Sequence, residues 1–329
     1  SLPFLDSMQA YNKVYHTPNM ERMANEGMKF SNAYATPVCT PTRVSWLTGM
    51  NTSRHGVTNW THILRDHDSD NAFVDADVTH TDWNLNGYSP IEGIPNTVTA
   101  TSVVDLLKQH GYRTIHIGKA HWGPFGTPGS EPTNLGFQVN IGGHAGGRPA
   151  SYLGELSFGD SPNSKDLHRV PHLQRYHGKD IFLTDALTQE AIAQMDYAVE
   201  RKAPFFLHLS HYAIHDPYEE DKRFIKEYID KGMTQTEAMY AALIEGMDKS
   251  LGDVLNYLKQ KEIDDQTVII FMSDNGGLSL GYARDGEPHT HNSPLRSGKG
   301  SVYEGGIRVP MIVRWPGNVM ENSRSDYPI

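Results

Sequence analysis

Residues 37–49, PVCTPTRVSWLTG, contain the single cysteine of the 329-residue chain. Pro41 suits the first turn of a helix and Gly49 suits its end, so the sequence predicts a helix with Cys39 near its N-terminus. The free N–H groups and the dipole at that end favour a bound anion and make a thiol more acidic. A lone cysteine is also often a buried structural residue, so the segment alone leaves both roles open.

Polar residues also gather directly after three predicted strands. The segments are GKAHWG at 118–123, HYAIHDPY at 211–218 and DNGG at 274–277. Ligands of open α/β sheets bind beyond the carboxyl ends of the strands, so we expect these segments to converge on one site. Asp274 and Asn275 offer oxygen ligands, which suit Ca²⁺ or Mg²⁺ better than Zn²⁺.

The elements that must position these residues alternate along the chain: segments with the apolar spacing of a helix are followed by short apolar segments typical of strands. This pattern predicts an α/β fold with a mostly parallel central sheet and helices on both faces. Besides the helix that has Cys39 near its N-terminus and ends at Gly49, helices are predicted over 17–27, 98–111, 185–201 and roughly 234–261. Strands are predicted over 28–35, 112–117, 204–210, 267–273 and 308–315. The loops 60–96 and 122–180 are long enough to expect a function from them.

Composition bounds the class of protein. Hydrophobic residues make up 38% and charged residues 21% of the chain, which is ordinary for a soluble globular protein. A net charge of −10 and the lack of a basic block argue against nucleic acid as a partner. No apolar run is long enough to predict a membrane span, and one cysteine leaves the redox compartment open.

The spacing C-x-P-[ST]-R followed by x-x-x-L-T-G resembles the signature of the type I sulfatases, the formylglycine-dependent family of the alkaline phosphatase-like superfamily. It is unbroken here from Cys39 to Gly49. The resemblance continues in order through GYRTIHIGKAHWG, LSHYAIHDPY, FMSDNGG and PLRSGKGSVYEGG. Five matched motifs in sequence make coincidence an inadequate explanation.

The resemblance implies a set of site residues. For catalysis they are Cys39, Arg43, Lys119, His121, His215 and Lys299, and for a divalent metal, Ca²⁺ in preference to Mg²⁺, they are Asp274, Asn275 and the modified Cys39. Family membership implies that Cys39 is converted to formylglycine, whose hydrate attacks sulfur, and that Arg43 orients it.

The remaining roles follow from the same resemblance. Lys119, His215 and Lys299 would hold the sulfate, and His215 or Lys299 would protonate the leaving alkoxide. His121 would assist the second hydroxyl of the hydrate. Lys119 and His121 are two residues apart, so in an extended chain they would point the same way.

Two features depart from the family pattern. The usual proline before the histidine of the third motif is Ile214, and Asp6 has neither the apolar strand nor the partner aspartate that normally completes the metal site. The family also continues into a smaller C-terminal domain. We therefore expect residues 1–329 to be the N-terminal catalytic domain of a longer sulfatase, incomplete at both ends and lacking the first strand and the C-terminal subdomain.

The expected partners are a sulfated small molecule or glycan and a formylglycine-generating maturation enzyme, with a periplasmic or secreted location. Three other functions stay open: a phosphate or phosphonate ester hydrolase of the same superfamily, a catalytically silent glycan-binding relative, and a cysteine hydrolase. The last does not call for two lysines and a pair of metal ligands. A zinc site is a further alternative for the histidines, which are His208, His211, His215, His289 and His291.

Overall fold

The computed structural model describes residues 14–65, 83–279 and 290–329, so Asp6 and His289 lie outside the described residues. The helices in these ranges are α1 Pro18–Asn25, α2 Cys39–Thr48, α3 Thr52–His55, α4 Val103–Gln109, α5 Leu183–Glu200, α6 Ile225–Asp230, α7 Gln235–Gln260 and α8 Glu304–Ile307. The strands are β1 Met28–Phe30, β2 Arg113–Gly118, β3 Val139–Ile141, β4 Phe205–Ser210, β5 Ile269–Met272, β6 Met311–Arg314 and β7 Ser323–Ser325. Short 3₁₀ helices occupy Pro128–Ser130, Pro132–Leu135, Gly154–Gly159, Gln174–Tyr176 and Asp264–Gln266.

The chain forms two compact units. The middle unit is Cys39–Tyr212, and the terminal unit combines Ser1–Val38 with Ala213–Ile329.

The middle unit contains a parallel sheet with the order β3-β2-β4. Residues 114–118 of the central strand are buried, and α4 and α5 pack against it. The core beside the sheet includes Val44, Leu47, Trp122 and Phe137, and the last two rings stack with centroids 5.7 Å apart.

The terminal unit contains a four-stranded sheet with the order β5-β6-β1-β7. β6 pairs antiparallel with both β5 and β1, and β1 pairs parallel with β7. Helices α1 and α7 pack together over a core of Met20, Met23, Leu255 and Ile312. Counted over the described residues, three of the five strand pairings are parallel, so the prediction of a mostly parallel α/β fold is confirmed.

Capping residues mark where three of the helices begin. Thr17 and Pro18 begin α1 as predicted, although the Thr17 side chain makes no capping hydrogen bond. The fourth helix begins at Val103 rather than near residue 98, because the Ser102 hydroxyl caps it by accepting from the Val104 amide at 3.0 Å. Thr234 opens the long α7 with a capping box.

Three strands differ from the sequence predictions, and one of them, β3, lies in the segment 122–180 that was predicted to be a loop. β1 ends at Phe30, because the chain turns at the next two residues. β7 was not predicted, since Ser-Arg-Ser has no apolar period. Among the described residues, no helix has both the length and the apolar character needed to cross a bilayer.

Candidate active site

Cys39 is the first residue of α2, and its side chain is 3% exposed. The backbone of Gly49, directly after the helix, has φ of +68°. That left-handed conformation is one glycine adopts readily, so the predicted helix and its end are confirmed. Thr40 and Thr42 in the first turn are buried too. Position 39 therefore lies in a largely water-excluded part of the middle unit.

Arg43, one turn further along α2, is buried and bonded to the ends of two strands. Its Nη1 donates to the carbonyl of Lys119 at 2.8 Å and contacts Ser210 Oγ at 2.9 Å. Charge-assisted hydrogen bonds of this kind are stronger than neutral ones and fix orientation. Arg43 therefore holds the helix that begins at Cys39 against the carboxyl ends of β2 and β4.

Lys119 follows β2 directly and is 4% exposed. Its amide donates to the carbonyl of Ser210 at 2.7 Å. The preceding residue, Gly118, has φ of +96°, and a Cβ there would lie 2.0 Å from the same carbonyl. Only glycine permits this approach of the two strand ends. A lysine buried this deeply is rare unless it meets an anionic partner.

His121 is 3% exposed and has φ of +60°. The prediction that Lys119 and His121 point the same way assumed an extended backbone. That assumption is wrong, because the backbone leaves the extended region at His121. Its Nε2 lies 2.6 Å from the carbonyl of Thr61. A carbonyl only accepts, so Nε2 carries a proton, and in the neutral form of the ring Nδ1 is the acceptor. No described residue pairs with that buried Nδ1.

In the terminal unit, His215 is partly buried and its Nδ1 lies 2.5 Å from Asp216 Oδ1. The peptide bond between Ala213 and Ile214, where the motif departs from the family, is cis. A carboxylate against one ring nitrogen fixes the orientation of the imidazole.

Asp274 and Asn275 follow the end of β5, as predicted. The side-chain amide of Asn275 donates to the carbonyl of Gly276 at 2.9 Å, whereas its buried Oδ1 has no partner among the described residues. An unpaired buried acceptor is costly, so this oxygen suits a hard cation. The described residues contain no cluster of three or more His, Cys, Asp or Glu side chains able to hold a metal.

Lys299 lies in the same loop network. Its amide donates to the carbonyl of Gly277 at 2.9 Å, and the amide of Gly300 donates to the carbonyl of Pro37 at 2.8 Å. Pro37 is two residues before Cys39 along the chain. Within the described part of the terminal unit, no residue accepts a hydrogen bond from the Lys299 ammonium.

The structure thus places the predicted residues in separate groups within their units. Around the end of β2 lie Arg43, Lys119 and His121, and around the loop after β5 lie Asp274, Asn275 and Lys299. Convergence of both groups and His215 on one anion stays a prediction.

The histidines considered for zinc have other surroundings. His208 Nδ1 lies 3.0 Å from His116 Nδ1, and its ring is 4.5 Å from that of Trp46. Burial lowers the pKa of His116 to about 3. Burial also lowers the pKa of His211 to about 4, opposed by the charge of Asp185. His116 and His211 are therefore neutral near pH 7.

Sequence reasoning missed two residues that position the site. Ser210 bonds both Arg43 and Lys119, and the carbonyl of Thr61 sets the tautomer of His121. Ser210 ends a predicted strand, which was a usable signal. The role of Thr61 belongs to its backbone and has no signal in the sequence.

The sheet, the polar groups at the strand ends and the buried cysteine at a helix N-terminus define an α/β protein of the alkaline phosphatase-like class. The sulfatase family model matches residues 3–327, so the chain belongs to the sulfatase family. It is 30% identical over 318 residues to the N-acetylgalactosamine-6-sulfatase of Homo sapiens, covering 92% of this chain and 53% of that protein. The chain thus spans about half the length of the curated relatives it matches.

Solved structures agree with this assignment. The crystal structure of Ps i-CgsB superposes with a TM-score of 0.73 at 29% identity, over 97% of this chain and 65% of that one. The same protein in complex with k-i-k-neocarrahexaose gives a TM-score of 0.72 at 28% identity, with the same coverage.

Proposed function

We propose that the chain is the catalytic domain of a sulfuric ester hydrolase acting on a sulfated carbohydrate. The observation that carries the proposal is the buried Cys39 at the start of α2, with Arg43 bonded to the loop of Lys119. The names of the relatives support a sugar substrate, since one is an N-acetylgalactosamine-6-sulfatase and another was solved with a neocarrahexaose. Because such glycans are polymers, we also propose a periplasmic or secreted location.

A sulfate ester reacts by displacement at sulfur, so the site must supply a nucleophile, positive charge and an acid. Formylglycine at Cys39 would supply a hydrated aldehyde, with one hydroxyl as the nucleophile and a second whose deprotonation lets sulfate leave. A thiolate would instead form an adduct with no easy exit. The buried first turn of α2 fits this group, because it excludes bulk water from the nucleophile.

The residues of the middle unit have definite tasks in this proposal. Arg43 orients the residue at position 39, and the buried ammonium of Lys119 neutralises a sulfate oxygen. His121 takes a proton at Nδ1, the nitrogen that the carbonyl of Thr61 leaves unprotonated. In the terminal unit, Lys299 neutralises sulfate, and His215 or Lys299 protonates the leaving alkoxide.

Asp274 and Asn275, with the modified Cys39, would hold a divalent metal, Ca²⁺ in preference to Mg²⁺. The unpartnered Oδ1 of Asn275 fits a hard cation, which would add positive charge beside the sulfate. One carboxylate and one amide make an incomplete ligand set, so we expect further oxygen ligands from the whole protein.

The test is to make the full-length protein alongside a formylglycine-generating enzyme. Peptide mass spectrometry across residues 32–43 should find an aldehyde at position 39, and the protein should release sulfate from sulfated sugars. Cys39→Ala is the matched control and should fold normally without activity.

Full activity from protein that retains the thiol would overturn the mechanism. Cleavage of phosphate or phosphonate monoesters faster than sulfate esters would favour the alternative of a phosphate or phosphonate ester hydrolase. If the aldehyde-bearing protein binds glycans without cleaving them, it is a catalytically silent glycan-binding relative of the sulfatases.

A further inference from the structure

Three histidines of the middle unit gather beside His121: His62, His144 and His168, which we call the histidine pocket. The rings of His62 and His168 stack with centroids 4.6 Å apart. The ring of Phe125 lies 5.3 Å from that of His62 and 5.5 Å from that of His144. An aromatic surface therefore joins the three imidazoles.

The pocket is physically joined to His121. The amide of His121 donates to the carbonyl of His144 at 3.0 Å, and its ring bonds the carbonyl of Thr61, the residue before His62. A Cβ on Gly147 would lie 2.5 Å from Cε1 of His121, so the glycine-rich loop lies directly on that ring. Any group bound in the pocket would be a near neighbour of the proposed base.

Each pocket histidine has a buried ring nitrogen without a partner among the described residues: Nε2 of His62, Nε2 of His144 and Nδ1 of His168. Nδ1 of His144 accepts from the amide of Gly146 at 2.7 Å, so its neutral ring carries the proton on Nε2 as an unmet donor. A buried polar atom left unpaired costs about 1–3 kcal/mol. Several such atoms in one place indicate a ligand rather than packing.

The charges indicate what kind of ligand. Burial lowers the pKa of His62 to about 4 and that of His144 to about 3, and it lowers the pKa of His168 as well. The three rings are therefore neutral at pH 7 and offer uncharged donors and acceptors. Arg148 is near enough to lower the pKa of His168, and its guanidinium bonds the carbonyl of Pro149 at 3.4 Å. Among the described residues, no carboxylate forms an ion pair with Arg148.

Uncharged donors and acceptors around an aromatic surface, with one cation at the side, match a sugar ring that has hydroxyls and an anionic substituent. The described histidines make no metal cluster. We propose that the histidine pocket binds the sugar ring of the substrate, with its hydroxyls on His62, His144 and His168 and an anionic substituent on Arg148. This inference rests on the proposed function and names the residues that select the sugar.

The test compares a substrate that has a sugar ring with one that has none. His168→Phe keeps a ring against His62 and removes the nitrogens, and His110→Phe, on the exposed end of α4, is the matched control. The substrates are a κ-carrageenan hexasaccharide, N-acetylgalactosamine 6-sulfate and 4-nitrophenyl sulfate. His168→Phe should lower kcat/KM for the sugar that the wild type cleaves by about tenfold, the worth of one lost hydrogen bond, and leave the aryl sulfate unchanged.

An equal loss on sugar and aryl sulfates, or no loss on either, would overturn the pocket assignment while leaving sulfatase activity established. If the wild type cleaves none of the three substrates, calorimetric binding of the two sugars distinguishes failure of the pocket assignment from failure of the proposed function. Binding that His168→Phe weakens would support the pocket and count against the proposed function, whereas binding of neither sugar would overturn the pocket.

Discussion

Replacing Gly118 by alanine tests how the strand ends hold the site. Gly118 has φ of +96°, and an added Cβ would lie 2.0 Å from the carbonyl oxygen of Ser210. Gly111, before the same strand, also has positive φ, +84°, but a Cβ there meets nothing within 4 Å. The pair therefore separates backbone strain from steric overlap.

The strain of an L-residue at positive φ is about 1–2 kcal/mol and applies to both variants. At Gly118 the carbonyl must also retreat by at least 1.0 Å, from 2.0 Å to the 3.0 Å that real Cβ contacts respect. That movement breaks the 2.7 Å bond from the Lys119 amide to Ser210. An unpaired buried amide adds about 1–3 kcal/mol, so Gly118→Ala should lose about 2–5 kcal/mol and Gly111→Ala about 1–2 kcal/mol.

Urea unfolding followed by tryptophan fluorescence measures both free energies. Sulfate release from the folded fraction should fall for Gly118→Ala alone, because Lys119 moves with its amide. Equal losses of unfolding free energy in the two variants would refute the role given to the Ser210 carbonyl.

Three further predictions follow from single groups. Burial lowers the pKa of His144 to about 3, so its ring is neutral in the folded state, whereas the same ring in the unfolded chain titrates near pH 6.5. Its contribution to stability is therefore complete above pH 6.5 and falls as pH drops. His144→Phe should reduce the slope of the unfolding free energy between pH 6 and 5 by about 1.4 kcal/mol per pH unit in urea titrations, and an unchanged slope would contradict this. Asn275→Leu removes the unpartnered Oδ1 and should weaken Ca²⁺ binding to the full-length protein by about tenfold in calorimetry, so an unchanged Kd would exclude this oxygen as a ligand. Lys299→Ala should lower kcat about 100-fold while Tm stays within about 1 °C of the exposed control Lys261→Ala, and a matching loss of Tm would indicate a structural role.

Several elements were predictable because their signals are local. Pro41 fixes its own φ and Gly49 readily adopts the left-handed conformation that ends a helix, so a helix with Cys39 near its N-terminus and its end at Gly49 was predictable. A helix was likewise predicted over roughly 234–261, and α7 spans Gln235–Gln260 behind the capping box at Thr234. β7 has no such signal, because its three polar residues form a strand only by pairing with β1.

The order of the motifs along the sequence by itself determined the family, and it predicts the nucleophile position and the metal-ligand pair after β5. Only the tertiary structure decided how those residues are held. The guanidinium of Arg43 and the Nε2 of His121 both bond backbone carbonyls, those of Lys119 and Thr61. Every residue type carries the same carbonyl, so no sequence pattern can show which one a folded chain brings within 3 Å of a given side chain. The histidine pocket was hidden for the same reason, since its members lie far apart along the chain and only folding brings their rings together.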